Sequence, residues 1–325
     1  MPISRRTALA VLGAAPALVS LPAAAAFPDR PIRIIVPFAP GGNVDIVARV
    51  LGEKLLGELG QPIVVENRTG AGGSIGAEQV ARATPDGYTL LMGSSGPLTV
   101  NPFVQAKMGY DPLKDFVPIG LTSLVPHAIM VHESVPAKTL ADFIALSKTQ
   151  PVTTGTAGAG SATHLTLERF NVQAGAKLVH VPYRGGGALI PDLLAGNISS
   201  AMTEFSSALP QHRAGKARFL ALAATQRSAL APDVPTMSEG GVKDFTAASY
   251  VGILAPTGTP PDIVERLQKA LAAALMQPAT QDKLRELGSE VAAPEQMTSA
   301  GFAAYIAQEY ERSREAAQLA GLKKE

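Results

Sequence analysis

The chain contains no cysteine, so disulfide bonds, thiolate catalysis and cysteine-ligated metal sites are all excluded. It also lacks an excess of positive charge, because its 28 basic residues are nearly balanced by 27 acidic ones. Nucleic-acid-binding proteins concentrate basic residues, and we therefore expect no nucleic-acid partner. The five histidines show no metal-ligand spacing. We expect neither a metal ion nor an organic cofactor.

No apolar run reaches the roughly 20 residues that a membrane-spanning helix needs. The first run, residues 7–21, is shorter; it follows two arginines and precedes three alanines at 24–26. This order is typical of an export signal that a signal peptidase removes. We expect residues 1–26 to be cleaved, leaving a periplasmic protein that begins at Phe27. The paired arginines leave open whether export follows the general secretory or the twin-arginine route.

Strand-like and helix-like segments alternate along the mature chain. A buried strand at 32–36 is followed by a glycine-containing loop and then by a helix with apolar residues on one face. The same order recurs through residue 224, and three further helices are predicted between 261 and 319. Strands that alternate with helices predict an α/β fold with parallel sheets.

Two extended apolar segments, 116–131 and 250–254, interrupt this alternation. Each is predicted to cross between two lobes. A chain that crosses twice builds one lobe from both of its ends and the other from its middle, as hinged ligand-closing proteins do. We predict that lobe 1 comprises 27–125 and 250–325, and that lobe 2 comprises 126–249.

Two loops are candidates for the ligand site, because each joins a buried strand to the start of a helix. The candidate residues are Phe38, Ala39, Gly41, Gly42 and Asn43 in lobe 1, and Thr156, Gly160 and Ser161 in lobe 2. A backbone without a Cβ can approach a ligand closely, and the first N–H groups of a helix have no intrahelical partner. Glycine also serves in tight turns, which explains either loop alone equally well. One such loop in each lobe favours an anion held from both sides.

Four further side chains are candidates for ligand contact, namely Ser94, His164, Arg184 and Thr203. Arg184 follows a predicted strand and can bind a second carboxylate through two parallel hydrogen bonds, but plain solvent exposure explains it equally well. His164 stands one helical turn before Glu168. It either pairs with that acid or faces the ligand.

An exported serine hydrolase is an alternative function. The segment 72–76 matches the hydrolase pattern Gly-x-Ser-x-Gly, but a nucleophile elbow places its serine directly at a strand end, and here a loop intervenes before Ser74. Ser161 with His164 is a second candidate pair, for which no orienting acid is evident. A ligand-sensing module for a membrane sensor is a third possibility.

Several ordered motifs point to one family. They are Phe27-Pro28-Asp29-Arg30-Pro31-Ile32, Ile35-Val36-Pro37-Phe38-Ala39-Pro40-Gly41-Gly42, Val65-Glu66-Asn67-Arg68-Thr69-Gly70-Ala71-Gly72-Gly73, Pro85-Asp86-Gly87-Tyr88-Thr89-Leu90-Leu91, Gly158-Ala159-Gly160-Ser161, His180-Val181-Pro182-Tyr183 and Pro232-Asp233-Val234-Pro235-Thr236. Across essentially the whole mature chain, the sequence resembles the Bug, or TctC-type, receptors of tripartite tricarboxylate transporters. The resemblance implies a type II periplasmic-binding-protein fold and no enzymatic activity. It also implies a monomer that closes on a small organic carboxylate and delivers it to membrane transporter subunits.

The resemblance also implies how the ligand is held. One carboxylate is expected to bind the backbone of the two candidate loops, often through bridging waters, while Asp45 orders the helix start. Two positions depart from the family pattern: Thr69 replaces a usual proline, and Thr203 replaces an aspartate that many members have. The second departure puts in doubt any ligand with a distal amine that needs that aspartate.

Overall fold

The computed structural model describes residues 27–324, so the predicted export signal lies outside the described residues. The strands are β1 (Ile32–Val36), β2 (Ile63–Asn67), β3 (Thr89–Ser94), β4 (Phe116–His132), β5 (Val152–Thr156), β6 (Leu178–Pro182), β7 (Ser200–Glu204), β8 (Ala217–Leu222), β9 (Ala248–Pro256) and β10 (Glu290–Val291). The helices are α1 (Asn43–Leu59), α2 (Ser74–Ala81), α3 (Asn101–Val104), α4 (Leu140–Thr149), α5 (Ala162–Ala174), α6 (Gly186–Leu194), α7 (Phe205–Arg213), α8 (Pro261–Met276), α9 (Pro278–Glu286) and α10 (Ser299–Leu319). The alternation of strands and helices confirms the predicted α/β class.

The first lobe is built around the strand order β2-β1-β3-β9-β4. β1 pairs in parallel with β2 and β3, whereas β9 runs antiparallel to β3 and β4. β1 is buried along most of its length because α1, α2 and their neighbours cover the sheet. Such burial on both faces explains why the strand is apolar at every position except Arg33, which is half-buried. The largest hydrophobic cluster combines residues from both ends of the chain.

The second lobe has its own sheet and its own cores. β5 pairs in parallel with β6 and β7, and the last part of β4 pairs antiparallel with β7 and β8. Two hydrophobic clusters, both drawn from residues between 125 and 245, fill the two faces of this sheet. Each lobe therefore buries apolar surface independently of the other, as a hinged molecule requires.

Strand β4 links the two sheets. Its residues 116–126 pair with β9 in the first sheet, and its residues 127–132 pair with β7 and β8 in the second. The chain returns beside this point, where the His127 N–H donates to the Ala247 carbonyl oxygen over 2.9 Å. The predicted two-lobe architecture in which the chain crosses twice is confirmed. The second crossing was expected at 250–254, but those residues belong to β9 of the first sheet, so the chain returns just before them. No helix within residues 27–324 combines the length and the apolar composition that a membrane span requires.

Candidate functional site

The first loop contact between the lobes joins the loop after β1 to the loop after β6. The Ala39 N–H donates to the Arg184 carbonyl oxygen over 2.9 Å. Gly187 packs so closely that an added Cβ would overlap the Pro40 carbonyl oxygen. Backbone therefore lies directly against backbone here, which only residues without a side chain allow.

The second loop contact joins residues 70–73 of the first lobe to residues 158–160 of the second. A Cβ on Gly72 would overlap the Ala159 carbonyl oxygen, and a Cβ on Gly160 would overlap Oδ1 of Asn101. Gly72 and Gly160 also have positive φ angles, of 57° and 78°. Both glycines are thus required by their conformation as well as by the close approach.

A cavity of about 360 Å³ lies between the lobes. It is lined by Phe38, Gly70, Ala71, Gly72, Gly73, Ala157, Gly158, Ala159, Pro182, Tyr183 and Arg184. Two of the predicted site residues, Phe38 and Arg184, line it directly, together with the loop that precedes Gly160. The loop 70–73 is not among the residues predicted from the sequence, where the segment 72–76 is considered only as a possible hydrolase motif.

The start of α1 is organised by Asp45. Its carboxylate accepts a 2.9 Å hydrogen bond from the Gly41 N–H and further hydrogen bonds from Arg49 and Asn67. Although burial raises the pKa of Asp45, these hydrogen bonds hold that pKa below its ordinary value. Asp45 therefore orders the helix start, as expected. The Gly41 N–H is already bonded within the chain, whereas the first-turn N–H groups of α1 lie beyond the reach of intrahelical acceptors.

Gly42 and Asn43 begin α1 at the boundary between the lobes. Gly42 is the N-cap residue, and an added Cβ would lie 3.4 Å from the Gly187 nitrogen. The buried Asn43 side chain accepts a 2.9 Å hydrogen bond from the Ser206 hydroxyl in α7. Its Nδ2 atom has no hydrogen-bond partner among residues 27–324. These two residues face the second lobe and do not line the cavity.

The loop between β5 and α5 is held from within its own lobe. Ser161 caps α5, because its hydroxyl oxygen accepts a 3.2 Å hydrogen bond from the His164 N–H. The Gly160 N–H donates to Nδ1 of His164 over 3.3 Å, and Thr156 Oγ1 lies 2.7 Å from Nε2 of His180. These contacts set the loop geometry and use the His164 N–H, whereas the N–H groups of Ala162 and Thr163 lie before the first intrahelical acceptor.

Two histidines of the second lobe, His164 and His180, contact this loop. The rings of His164 and His180 are stacked with centroids 4.1 Å apart, and Nε2 of His164 lies 3.8 Å from Glu168. Burial, together with the neighbouring His164, lowers the pKa of His180 to about 4. Both rings are therefore placed to buttress the loop from its own lobe.

The two remaining predicted residues are buried at strand ends. Ser94 ends β3 opposite Val251, and Thr203 lies near the end of β7. The hydroxyl of Thr203 has no partner within residues 27–324. The adjacent Glu204, which sequence reasoning missed, is buried, and this burial raises its pKa. Its only sequence signal is a lone acid at the end of an apolar strand.

The serines considered for hydrolysis have other partners. The Ser74 hydroxyl donates to Gln105 over 2.9 Å and accepts from Asn101 over 2.8 Å. The Ser161 hydroxyl oxygen bonds the backbone of His164 and lies 3.0 Å from the Thr163 hydroxyl. Ser74 is therefore held by two side-chain amides, and Ser161 serves as the N-cap of α5.

Replacing the capping serine gives a prediction for stability. Ser161→Ala removes the acceptor for the His164 N–H and should lower the free energy of unfolding by about 1 kcal/mol. Urea denaturation of both proteins measures this difference. Ser134→Ala is the control, because Ser134 is exposed and its hydroxyl lies 2.7 Å from Nδ1 of the half-buried His132. It should change stability by less than about 0.5 kcal/mol. Equal losses in the two variants would contradict the capping role.

Two lobes, a paired crossing and a cavity between glycine loops define a periplasmic-binding-protein fold. The model of the tripartite tricarboxylate transporter family receptor, TctC, matches residues 47–322, and the chain belongs to this family. BugT of Bordetella pertussis is 38% identical over 94% of this chain and 94% of its own length.

Two solved structures show the same fold. MatC from Rhodopseudomonas palustris, with bound malate, is 34% identical at a TM-score of 0.85, covering 89% of this chain and 99% of that one. An R. palustris protein with adipate is 32% identical at a TM-score of 0.88, covering 92% of this chain and 100% of that one. The resemblance seen in the sequence motifs is thereby confirmed.

Proposed function

We propose that this protein is a periplasmic receptor that captures a small organic carboxylate between its lobes and delivers it to a membrane transporter. The observation that carries the proposal is the cavity enclosed by one glycine loop from each lobe, with Arg184 at its edge. A volume of about 360 Å³ suits a small acid, since ligand pockets usually measure roughly 300 to 1,000 Å³.

The loops supply positive potential without a buried cation. Gly73 is the N-cap of α2, and the loop 157–159 leads into α5, so two helix N-termini lie beside the cavity. Helix N-termini carry partial positive charge and free N–H groups, which favour a carboxylate. The exposed Arg184 adds a full charge and a planar donor pair for a second carboxylate.

The relatives support this ligand class. Malate and adipate, which are bound to two members of the fold, are both small dicarboxylates. By analogy we assign the ligand to the same chemical class, without naming the acid. The proposal also includes export, a monomeric state and the absence of catalysis, the last supported by the partners of Ser74 and Ser161.

Replacing the cavity arginine should weaken dicarboxylate binding selectively. Arg184→Gln removes charge-assisted hydrogen bonds that contribute about 1.5 to 3 kcal/mol, so the affinity should fall roughly ten- to a hundred-fold. Arg213→Gln, an exposed arginine at the end of α7, is the control and should bind normally. Calorimetry with a dicarboxylate and with a monocarboxylate of the same chain length measures both effects. Equal losses for the two acids would contradict a role for Arg184 at the second carboxylate.

Native mass spectrometry tests the function itself. Protein purified without denaturation should carry an added mass equal to that of a small organic acid, and a panel of di-, tri- and aromatic carboxylates should include acids that raise the melting temperature. Small-angle X-ray scattering should show contraction with the same acids. A panel in which every acid leaves both the melting temperature and the scattering unchanged would refute the proposed ligand class.

A further inference from the structure

Asn101 lies beneath the loop 70–73 and is fully buried. Its Nδ2 atom donates to the Ala71 and Gly72 carbonyl oxygens over 3.3 and 3.1 Å and to the Ser74 hydroxyl over 2.8 Å. Gln105 adds a 2.7 Å hydrogen bond to the Ala71 carbonyl oxygen. One side-chain amide therefore ties together the part of the loop that lines the cavity and the start of α2.

The other amide atom of Asn101 faces the second lobe. Oδ1 is buried and has no hydrogen-bond partner within residues 27–324. It lies against the backbone of Gly160, where an added Cβ would overlap it, and 2.9 Å from the position that a Cβ on Gly72 would take. The same side chain that holds the first lobe's loop thus forms the surface against which the second lobe's loop packs.

We propose that Asn101 is a positioning residue that fixes the loop 70–73 for the ligand and sets the position at which the loop 158–160 docks when the lobes close. The inference rests on the proposed function. Only an uncharged amide combines donors for the loop carbonyls with a flat acceptor edge that fits against a glycine. Because Asn101 holds the loop 70–73 in place, the loop 158–160 packs against a fixed surface, which favours the closed form that encloses the ligand.

A double-mutant cycle between Asn101 and Gly160 tests the contact. Gly160→Ala alone should weaken binding of a stabilising carboxylate at least a hundred-fold, because its Cβ meets Oδ1 of Asn101. In the Asn101→Ala background the collision is gone, and Gly160→Ala should weaken binding less than ten-fold. The strain that alanine suffers at a φ of 78° is present in both backgrounds and cancels in the cycle.

Single variants of Asn101 separate its hydrogen bonds to the loop 70–73 from the volume that its side chain fills. Asn101→Asp keeps the shape but places an acceptor against two carbonyl oxygens, so it should weaken binding as much as Asn101→Ala does, roughly ten- to a hundred-fold. Stopped-flow kinetics should place the loss in a faster dissociation rate, because the contact forms on closure. Melting curves of the ligand-free proteins report separately on stability, and a purely structural role would change those curves without coupling to Gly160.

The outcomes are distinct. Coupling of at least ten-fold between the two positions, with faster dissociation, supports the inference. Additive effects in a wild-type protein that binds carboxylates overturn the inference and leave the proposed function intact. A wild-type protein that binds no acid of the panel overturns the proposed function, and the inference with it.

Discussion

Gly187→Ala is expected to abolish lobe closure and to weaken carboxylate binding at least a hundred-fold. The new Cβ would overlap the Pro40 carbonyl oxygen and lie 2.9 Å from the Gly41 carbonyl carbon and the Gly42 nitrogen. All three are backbone atoms, which cannot rotate away as the end of a flexible side chain can. Separated lobes relieve the collision completely, so the open form should be selected. Calorimetry measures the affinity, and small-angle scattering measures the ligand-induced contraction.

The folded lobes themselves should tolerate this change. Gly187 is a helical residue of α6 without a positive φ angle, and alanine is favoured over glycine in helices. Gly57→Ala in α1 is the matched control, because nothing lies within 4 Å of its added Cβ. The control should bind normally and gain about 0.5 to 1 kcal/mol of stability. Wild-type contraction and affinity in Gly187→Ala would show that the first loop contact plays no part in closure.

Acidification is expected to destabilise the protein through His127, which lies where the chain crosses between the lobes. Its ring bonds the hydroxyls of Thr166 and Ser249, each over 2.8 Å. Burial lowers its pKa to about 3, with a smaller contribution from Arg169. The unfolded chain takes up this proton near pH 6.5, whereas the native protein does not. The stabilisation is therefore fully present above about pH 6.5 and is lost as the pH falls toward 3.

The expected loss of stability follows from the uptake of one proton on unfolding. Each pH unit within this window should cost up to about 1.4 kcal/mol, or about 2 kcal/mol between pH 6.5 and 5. Urea denaturation across this range measures the free energy of unfolding at each pH. The difference in its pH dependence between the wild-type protein and His127→Gln gives the contribution of His127 protonation. The raised pKa of Glu204 acts in the opposite direction, because the native protein binds that proton more readily; Glu204 is present in both proteins. Parallel slopes in the two proteins would contradict a histidine held neutral by burial.

The fold could be predicted largely from local patterns. Apolar runs that end in glycine loops gave the strands and helices, and the extended segment 116–131 corresponds to β4, which joins the two sheets. The alternating strands and helices and the long extended segment are both visible in short stretches of sequence, so they can be predicted without knowledge of tertiary contacts. Pro118 and Gly120 did not end β4, because its register with β9 shifts between Pro118 and Gly120 and again between Leu121 and Ser123.

The candidate site was only partly predictable, because its geometry depends on contacts between distant segments. Gly41 and Gly160 were predicted to approach a ligand with their backbone, and the structure adds that their N–H groups donate within the chain, to Asp45 and His164. The loop 70–73 is a candidate because it lines the cavity and packs against residues 158–160 of the second lobe, a contact that the sequence alone does not show. The burial of Glu204 likewise depends on tertiary packing, because its position at the end of a strand does not by itself indicate whether its carboxyl group is covered. The ligand contacts of the twelve predicted residues therefore remain predictions.

The most direct test of the central claim is a crystal structure of the protein with the carboxylate that most raises its melting temperature, labelled with bromine for anomalous scattering. The account predicts an anomalous peak inside the cavity, between the loops 70–73 and 157–159, with a carboxylate at a helix N-terminus. A fully occupied bromine site outside this cavity, with the lobes closed, would contradict it.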